Sequence, residues 1–439
     1  MKMNKVWLSV YEKIVNSEDA RACKAIDESA CKVVPGNFIK IIIAQFFTSL
    51  GDAIINPKVT LPWVMQSVGA PLYLVAWLVP IRESGSLLPQ LAIASFVRRM
   101  PIRKWVWVAG SALQAVSVTL IGLVALFMQG SIAGWMIILC LAVFSVARGL
   151  SSVASKDVLG KTIPKTQRGQ VTGWSGSMAG LVTVGVAAIL FFVALTPLEG
   201  SAYIYGLAVI GAASVWVAGA LVYSTVKEFP GEVEGGKNGL KEALGQLALL
   251  KTDTVFRRFV ITRSLLLCTA LSAPFYIVLA QQTLGSSMWV LAMFIAASGF
   301  ASLISAPFWG RFSDRSSRFV MIIASFVSVL VGGSLFLLSL LTPDALSNWV
   351  ILPSLYFLLT IAHQGIRVGR KTYLVDLSDG NKRTSYVAVS NTVIGFILLV
   401  LSLIGTLTQF ISIAGLVLIF SMMALAGVVM ASKLPEIGS

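Results

Sequence analysis

Charge is what this 439-residue chain has least of. Asp and Glu number 19 against 34 Lys and Arg, and all charged residues together make up 12% of the sequence. That is about half the usual share in soluble domains, and it argues against a globular enzyme with a fully hydrated surface. A single histidine leaves no His-rich metal site, and no zinc-ligand spacing occurs. The four cysteines form no disulfide framework: Cys23 and Cys31 lie in a polar leader, while Cys140 and Cys268 sit inside apolar runs, so free thiols are expected. No Walker-type phosphate loop is present, which removes ATP as an energy source. No catalytic constellation or ion filter is visible either. An enzyme, a channel and any cofactor dependence therefore lack support.

What the chain does have is long apolar runs, which raise the hydrophobic share to 56%. A bilayer core of roughly 30 Å needs about 20 mostly apolar residues per helical span. Twelve such runs are readable, at 36–57, 70–97, 105–128, 134–157, 170–195, 202–225, 258–281, 287–310, 319–341, 349–371, 386–409 and 411–432. They are continuous rather than alternating, which excludes a membrane β-barrel. The boundary near Thr406–Ile413 is the weakest.

The net charge of +15 is placed in alternate connectors: Arg98, Arg99, Arg103 and Lys104; Lys161, Lys165 and Arg168; Arg311, Arg315 and Arg318; Arg370, Lys371, Lys382 and Arg383. The intervening connectors are nearly bare, with Lys58 the one basic residue near them. The positive-inside rule makes the basic side cytoplasmic and puts both termini there, in a multi-pass protein of the cell inner (plasma) membrane. Membrane topology thus accounts for the basicity, and nucleic acid is not required.

Residues 1–35 form a cytoplasmic tail with a modest apolar stripe, Val6, Trp7, Val10, Tyr11 and Ile14, suited to a helix lying on the membrane surface. Glu12, Glu18 and Asp19 follow too closely for a secretion signal. Residues 226–257 read as a cytoplasmic linker, broken by Pro230-Gly231 and Gly235-Gly236 before a short amphipathic helix over Leu240–Leu250. The chain thereby divides into six-span bundles at 36–225 and 258–432, with a short tail at 433–439.

The two bundles resemble each other. Ala147, Val153, Lys156, Leu159, Arg168, Ser175 and Gly180 reappear 215 residues later as Ala362, Val368, Lys371, Leu374, Arg383, Ser390 and Gly395. Ser67-Val68-Gly69 and Ala76 recur as Thr283-Leu284-Gly285 and Ala292, shifted by 216. Duplicated membrane halves imply a site at their interface near the bilayer midplane.

Gly310-Arg311-Phe312-Ser313-Asp314-Arg315-Ser316-Ser317-Arg318 then follows the eighth span. It resembles the loop signature of the major facilitator superfamily: glycine, three residues, Asp-Arg and a further arginine. The resemblance covers the chain from about residue 36 onward. It implies an all-α membrane protein of twelve transmembrane helices in two pseudo-symmetric six-helix bundles, a central cavity and alternating access. We read Gly310, Asp314, Arg315 and Arg318 as a cytoplasmic gate, in which the two arginines bridge to the opposing half, and Arg367, one turn below His363, as part of the same gate. The first-half counterpart, Ser95–Lys104, departs from the pattern: Arg99 and Met100 replace the acid and the arginine. Arg148 with Ser151 and Ser152 only loosely resembles the basic motif of drug/proton antiporters. The fifth span carries Gly169, Gly173, Gly176, Gly180 and Gly185 without that group's Gly-Pro pair, and reads as close helix packing.

Charged residues far from span ends point to mechanism, since burying one costs roughly 2.5–3.5 kcal/mol on insertion scales. Arg82-Glu83 lies mid-span and cannot self-neutralise, because adjacent helical residues point apart. Its counterparts in the second half are Ser298 and Gly299. Asp52 stands in the first span, poised to pair with Arg82 or line the outer vestibule, and Lys58 is expected to snorkel to the outer interface. Arg148 and His363 occupy equivalent places in spans four and ten, both directed toward the cavity. Asp52, Arg82, Glu83, Arg148 and His363 are therefore the candidates for substrate contact and proton coupling, with Gln45, Phe46, Tyr276, Gln281 and Gln364 as pathway lining. The expected protein is a monomeric secondary transporter, partnered by a small anionic or zwitterionic solute, protons and the lipid bilayer. An exporter of amphipathic drugs or lipids is the alternative within transport, and a non-transporting receptor or sensor is the alternative outside it.

Overall fold

The computed structural model describes residues 33–163, 181–192, 202–230, 246–377 and 380–437, and among these there is no strand. Helices α1 (Val34–Ile54), α2 (Thr60–Ser67), α3 (Leu72–Leu87), α4 (Gln90–Arg98), α5 (Lys104–Phe127), α6 (Gly130–Thr162), α7 (Leu181–Phe192) and α8 (Ala202–Ser224) form the first group. The second holds α9 (Thr254–Leu265), α10 (Cys268–Leu284), α11 (Met288–Arg315), α12 (Ser317–Leu341), α13 (Ile351–Asp376), α14 (Gly380–Ser402) and α15 (Ile413–Ser432). Nine helices among the described residues are long and apolar enough to cross a membrane. Helix is the form such runs must take, because hydrocarbon offers no partner to an unbonded backbone amide. The surface tail before residue 33, most of the linker and the glycine series from Gly169 to Gly180 lie outside the described residues. Of the expected linker helix, the described part is a 3₁₀ turn at Gln246–Ala248 and a single helical turn at Leu249–Thr252.

Several predicted runs are interrupted. The run at 70–97 breaks between α3 and α4, where Pro89 has no N–H to offer the preceding turn. The run at 258–281 starts earlier, at an N-cap where Asp253 accepts from Phe256 N at 2.9 Å, and breaks at Leu266–Leu267. The eleventh ends in a 3₁₀ stretch, Leu403–Gln409, which separates it from α15. The first is the most consequential, because its helix resumes as α2 after a gap at residues 55–59.

In the first group α5 packs between α6 and α8, with α1 on α8 and α3 on α6; in the second, α12 packs on α13 and α15, and α11 on α13. The groups meet where α3 touches α14 and the 403–409 stretch, and where α10 meets α2 and α3. Ala76 lies so close to Gly405 that any Cβ at 405 would overlap it, which fixes a glycine at this contact. The repeat also appears in the backbone: Gly69 and Gly285, each closing a helix at the sparsely charged end, take positive φ of 70° and 89°.

The basic ends are stitched by a device that recurs. Glu228, four residues after α8, is fully buried, accepts from the backbone N–H of Arg103 at 3.0 Å and of Lys104 at 2.7 Å, and pairs with Lys161 at 3.2 Å. Arg103 itself pairs with Asp157 at 3.1 Å. Glu436, four residues after α15, pairs with Arg318 at 2.8 Å and accepts from Ser316 Oγ. Arg103 and Arg318 are 215 residues apart, the repeat spacing. Glu228→Ala is expected to remove about 3–5 kcal/mol of stability, as for a broken buried pair, and Glu436→Ala at most about 1 kcal/mol, as for an exposed one. Denaturant titration of the detergent-purified variants checks this, and equal losses would contradict it.

Candidate functional site

The site begins at the gap in the first span. Pro57 lacks an N–H, and the Asn56 side chain accepts from Lys58 N at 2.9 Å while its carbonyl accepts from Leu61 N at 3.0 Å. The chain turns, and α2 then continues the span. Lys58 therefore sits inside the span rather than at its outer end. Instead of snorkelling outward it points inward, with Nζ 2.8 Å from His363 Nε2 on α13. An ammonium only donates, so Nε2 accepts and the imidazole proton resides on Nδ1. Nδ1–H donates to Thr269 Oγ1 at 3.0 Å, and that hydroxyl donates to the Leu266 carbonyl at 3.3 Å, within the break between α9 and α10. Discontinuous helices supply both ends of this chain, as irregular backbone at membrane depth does where it faces a cavity.

One turn before the gap, Asp52 holds two guanidinium groups. Arg82 Nη2 donates to Oδ1 at 3.2 Å and Arg148 Nη2 donates to Oδ2 at 2.6 Å. Arg82 also lies over the Phe144 ring, 5.2 Å from its centroid. Three helices, α1, α3 and α6, thus converge on one carboxylate. Gly85 permits the approach of α3 to α6, since a Cβ there would lie 2.6 Å from the Ser145 Cβ. Glu83 lines the open space beside this trio, within electrostatic reach of Arg82, Lys58, Arg370 and Arg367.

That space is a cavity between the two helix groups, with two lobes. The first, about 280 Å³, is bounded by Asp52, Arg82, Glu83, Lys58, His363 and Arg367, and by the neutral polar groups of Thr183, Ser298, Ser302, Tyr356, Thr360 and Gln364. The second, about 320 Å³, adds Arg263, Arg370, Lys371 and Asn391 and an apolar floor of Leu87, Ile394 and Leu398. Lys58, Glu83, His363 and Arg367 line both lobes, so the Lys58–His363 contact stands at their junction. Six basic side chains and two carboxylates line the whole.

The five candidate charges are therefore brought to one place, with Arg148 reaching the cavity wall through Asp52. Among the pathway residues Gln364 lines the cavity, donating to Ser302 Oγ at 3.0 Å, whereas Tyr276 and Gln281 are buried in α10 and Gln45 and Phe46 line neither lobe. The gate signature is located differently from expectation. Gly310 to Arg315 form the last turns of α11, and Ser316 Oγ caps α12 by accepting from Phe319 N at 3.1 Å. Arg315 is exposed, the Asp314 side chain lies outside the described atoms, and Arg318 bonds Glu436 and the Leu434 carbonyl within its own group, not the opposing half. Arg367 is a cavity residue. Sequence reasoning missed the inward Lys58 and it missed Arg263. An Asn-Pro-Lys breaker followed by a further apolar stretch, Thr60–Met65, was the available signal for the first.

Apolar helices spanning a bilayer, arranged as two groups around a charged internal cavity, define a multi-pass membrane protein of the transporter kind. The family model for the Major Facilitator Superfamily matches residues 41–397, and the chain belongs to that superfamily. No curated protein matches the sequence. Solved structures share the fold at low identity. A POT family transporter in complex with 5-aminolevulinic acid is 10% identical, with a TM-score of 0.70 over 89% of this chain and 94% of its own. The inward-open xylose transporter XylE from E. coli is 11% identical, with a TM-score of 0.65 over 93% and 97%. A point mutant of the nucleoside transporter NupG is 12% identical, with a TM-score of 0.69 over 91% and 99%.

Neutralising Asp52 leaves two guanidinium groups facing each other without their shared acid. Asp52→Asn is expected to destabilise the protein, and adding Arg148→Gln to restore part of the loss, giving a coupling of about 0.5–3 kcal/mol in a double-mutant cycle. Additive losses in thermal denaturation would show that the trio is not a unit.

Proposed function

We propose that the protein is a secondary active transporter that moves a small anionic or zwitterionic solute across the inner (plasma) membrane. In this reading twelve spans form bundles at 36–225 and 258–432, joined by the linker at 226–257, and the monomer works by alternating access with its basic ends cytoplasmic. The observation that carries it is the cavity between the two groups: internal, polar, and basic in excess. Hydroxyl and amide lining fits a hydrophilic solute better than an amphipathic one.

The contacts between the groups support a rocking motion. Tyr205 donates to the Ser286 carbonyl at 3.1 Å near the bare ends, and Ser84 donates to the Gly395 carbonyl at 2.8 Å midway. On the facing helices α2 and α10, Thr60 Oγ1, Trp63 Nε1, Tyr276 OH and both amide atoms of Gln281 are buried without a protein partner. Such atoms gain solvation when that interface parts, which lowers the cost of the opposite state.

Lys58–His363 gives the cavity a proton-sensitive tie between the groups. Nε2 accepts from Lys58 only while unprotonated, so a proton there expels the ammonium. Glu83 faces the released Lys58, alongside Arg367 and Arg370. Proton arrival at the histidine and re-pairing at Glu83 thus couple charge to cavity opening. In proteoliposomes screened with small solutes under an imposed pH gradient, wild-type uptake should follow the gradient. Glu83→Gln should keep solute counterflow but lose gradient dependence. Unchanged gradient dependence removes Glu83 as the coupling group, and no uptake of any polar solute removes the transport reading.

A further inference from the structure

The two lobes differ in how their charges are met. In the first, Arg82 and Arg148 share Asp52, and the remaining wall is rich in hydroxyl and amide groups. In the second, five basic side chains, Lys58, Arg263, Arg367, Arg370 and Lys371, stand with Glu83 as the one carboxylate. The ion pairs among the described residues include none of Arg263, Arg367, Arg370 or Lys371.

Arg263 is the informative member. It lies at the end of α9, is 8% exposed, and is fixed by two neutral acceptors on α14: Nη1 donates to Ser390 Oγ at 2.6 Å and Nη2 to Asn391 Oδ1 at 3.0 Å. Its Nε–H has no partner. A guanidinium cannot shed its charge inside a protein, and a buried ion without a counter-ion is strongly disfavoured. Neutral hydrogen bonds position this cation, and the one acid in its reach, Glu83, is shared with Arg82, Lys58, Arg367 and Arg370. Arg367, Arg370 and Lys371 on α13 add to that excess, and a monoanion would offset only a small part of it.

We infer that the second lobe is the subsite for a doubly charged oxyanion head, and that the first lobe binds the hydroxyl-bearing body of the same molecule. The ligand class is a small hydroxylated phosphate monoester, whose single head carries about two charges. The head docks against Arg263, Arg370 and Lys371, whose planar and point charges suit oxyanions. The body reaches past Lys58 and His363 to Ser298, Ser302, Thr360 and Gln364. Lobes of about 280 and 320 Å³ together have the size of a small-molecule cavity, roughly 300–1,000 Å³, and leave room for one small solute that reaches both. Calling this ligand the transported solute rests on the function proposed above; its binding does not.

The test is equilibrium binding to detergent-purified full-length protein, with short hydroxylated probes of different charge. These are glycerol, glycerate, malate and glycerol phosphate, with inorganic phosphate as the bare head. Glycerol phosphate is expected to bind about tenfold or more tighter than glycerate and glycerol, and malate binding more tightly than glycerol phosphate would overturn the single doubly charged head. Arg263→Gln should reduce that affinity to near the monoanion value, with Arg370→Gln as the second variant should the first not yield monodisperse protein. Glycerol or glycerate binding as tightly as glycerol phosphate overturns the inference, as does unaltered dianion affinity in both variants. Inorganic phosphate matching the monoester overturns the two-part site. Dianion binding without flux would leave the inference standing and remove the transport reading, whereas flux of a neutral solute with no dianion binding would do the reverse.

Discussion

Everything at the centre of this molecule depends on a shortage of carboxylates. Placing a guanidinium or ammonium at membrane depth requires a counter-ion or a strong acceptor, and here acids are too few to serve each base. Asp52 is shared by Arg82 and Arg148, so α1, α3 and α6 must meet at one point. Lys58, left without an acid in bonding distance, uses a neutral imidazole. Arg263 uses a hydroxyl and an amide. Each substitution of a neutral partner for an acid leaves positive charge facing the cavity, and that surplus gives the cavity its chemical character.

The apolar runs were legible because lipid imposes one answer on them: a long uncharged segment must bond its own backbone, and helix does so. The in-membrane charges were legible by the same logic, since each is an exception to the pattern. Which charge meets which was not. Spacing gives a residue's height along a helix, whereas the Asp52–Arg148 pair depends on how α1 and α6 are rotated against each other. Lys58 reads as an edge residue because the first apolar run in the sequence ends at Pro57. The continuation through Thr60–Ser67 moves it from the membrane edge to the interior. Arg263 was hidden by company: five residues after Arg257-Arg258, it reads as one more base at a span end.

The duplication seen in sequence extends to backbone geometry and not to side-chain chemistry. Gly69 and Gly285 share a left-handed turn at equivalent helix ends. At the level of Arg82 and Glu83, however, the second half offers Ser298, a lining hydroxyl, and Gly299, whose missing side chain admits Val184 and Thr183 of α7. One half therefore carries the acids at this depth and the other provides space and neutral donors. Shared architecture with divergent polar content is consistent with superfamily members that keep the fold at 10–12% identity.

The acidic residues that follow α8 and α15 have a consequence for mechanics. Glu228 and Glu436 each fasten the basic connector of their own helix group, and the described ion pairs all stay within a group. Among the described residues, the ion pairs at the basic ends therefore fasten each body to itself. The rocking motion proposed above would cost none of those ion pairs, and its work would fall on the hydrogen bonds and small-residue contacts that cross between the bodies.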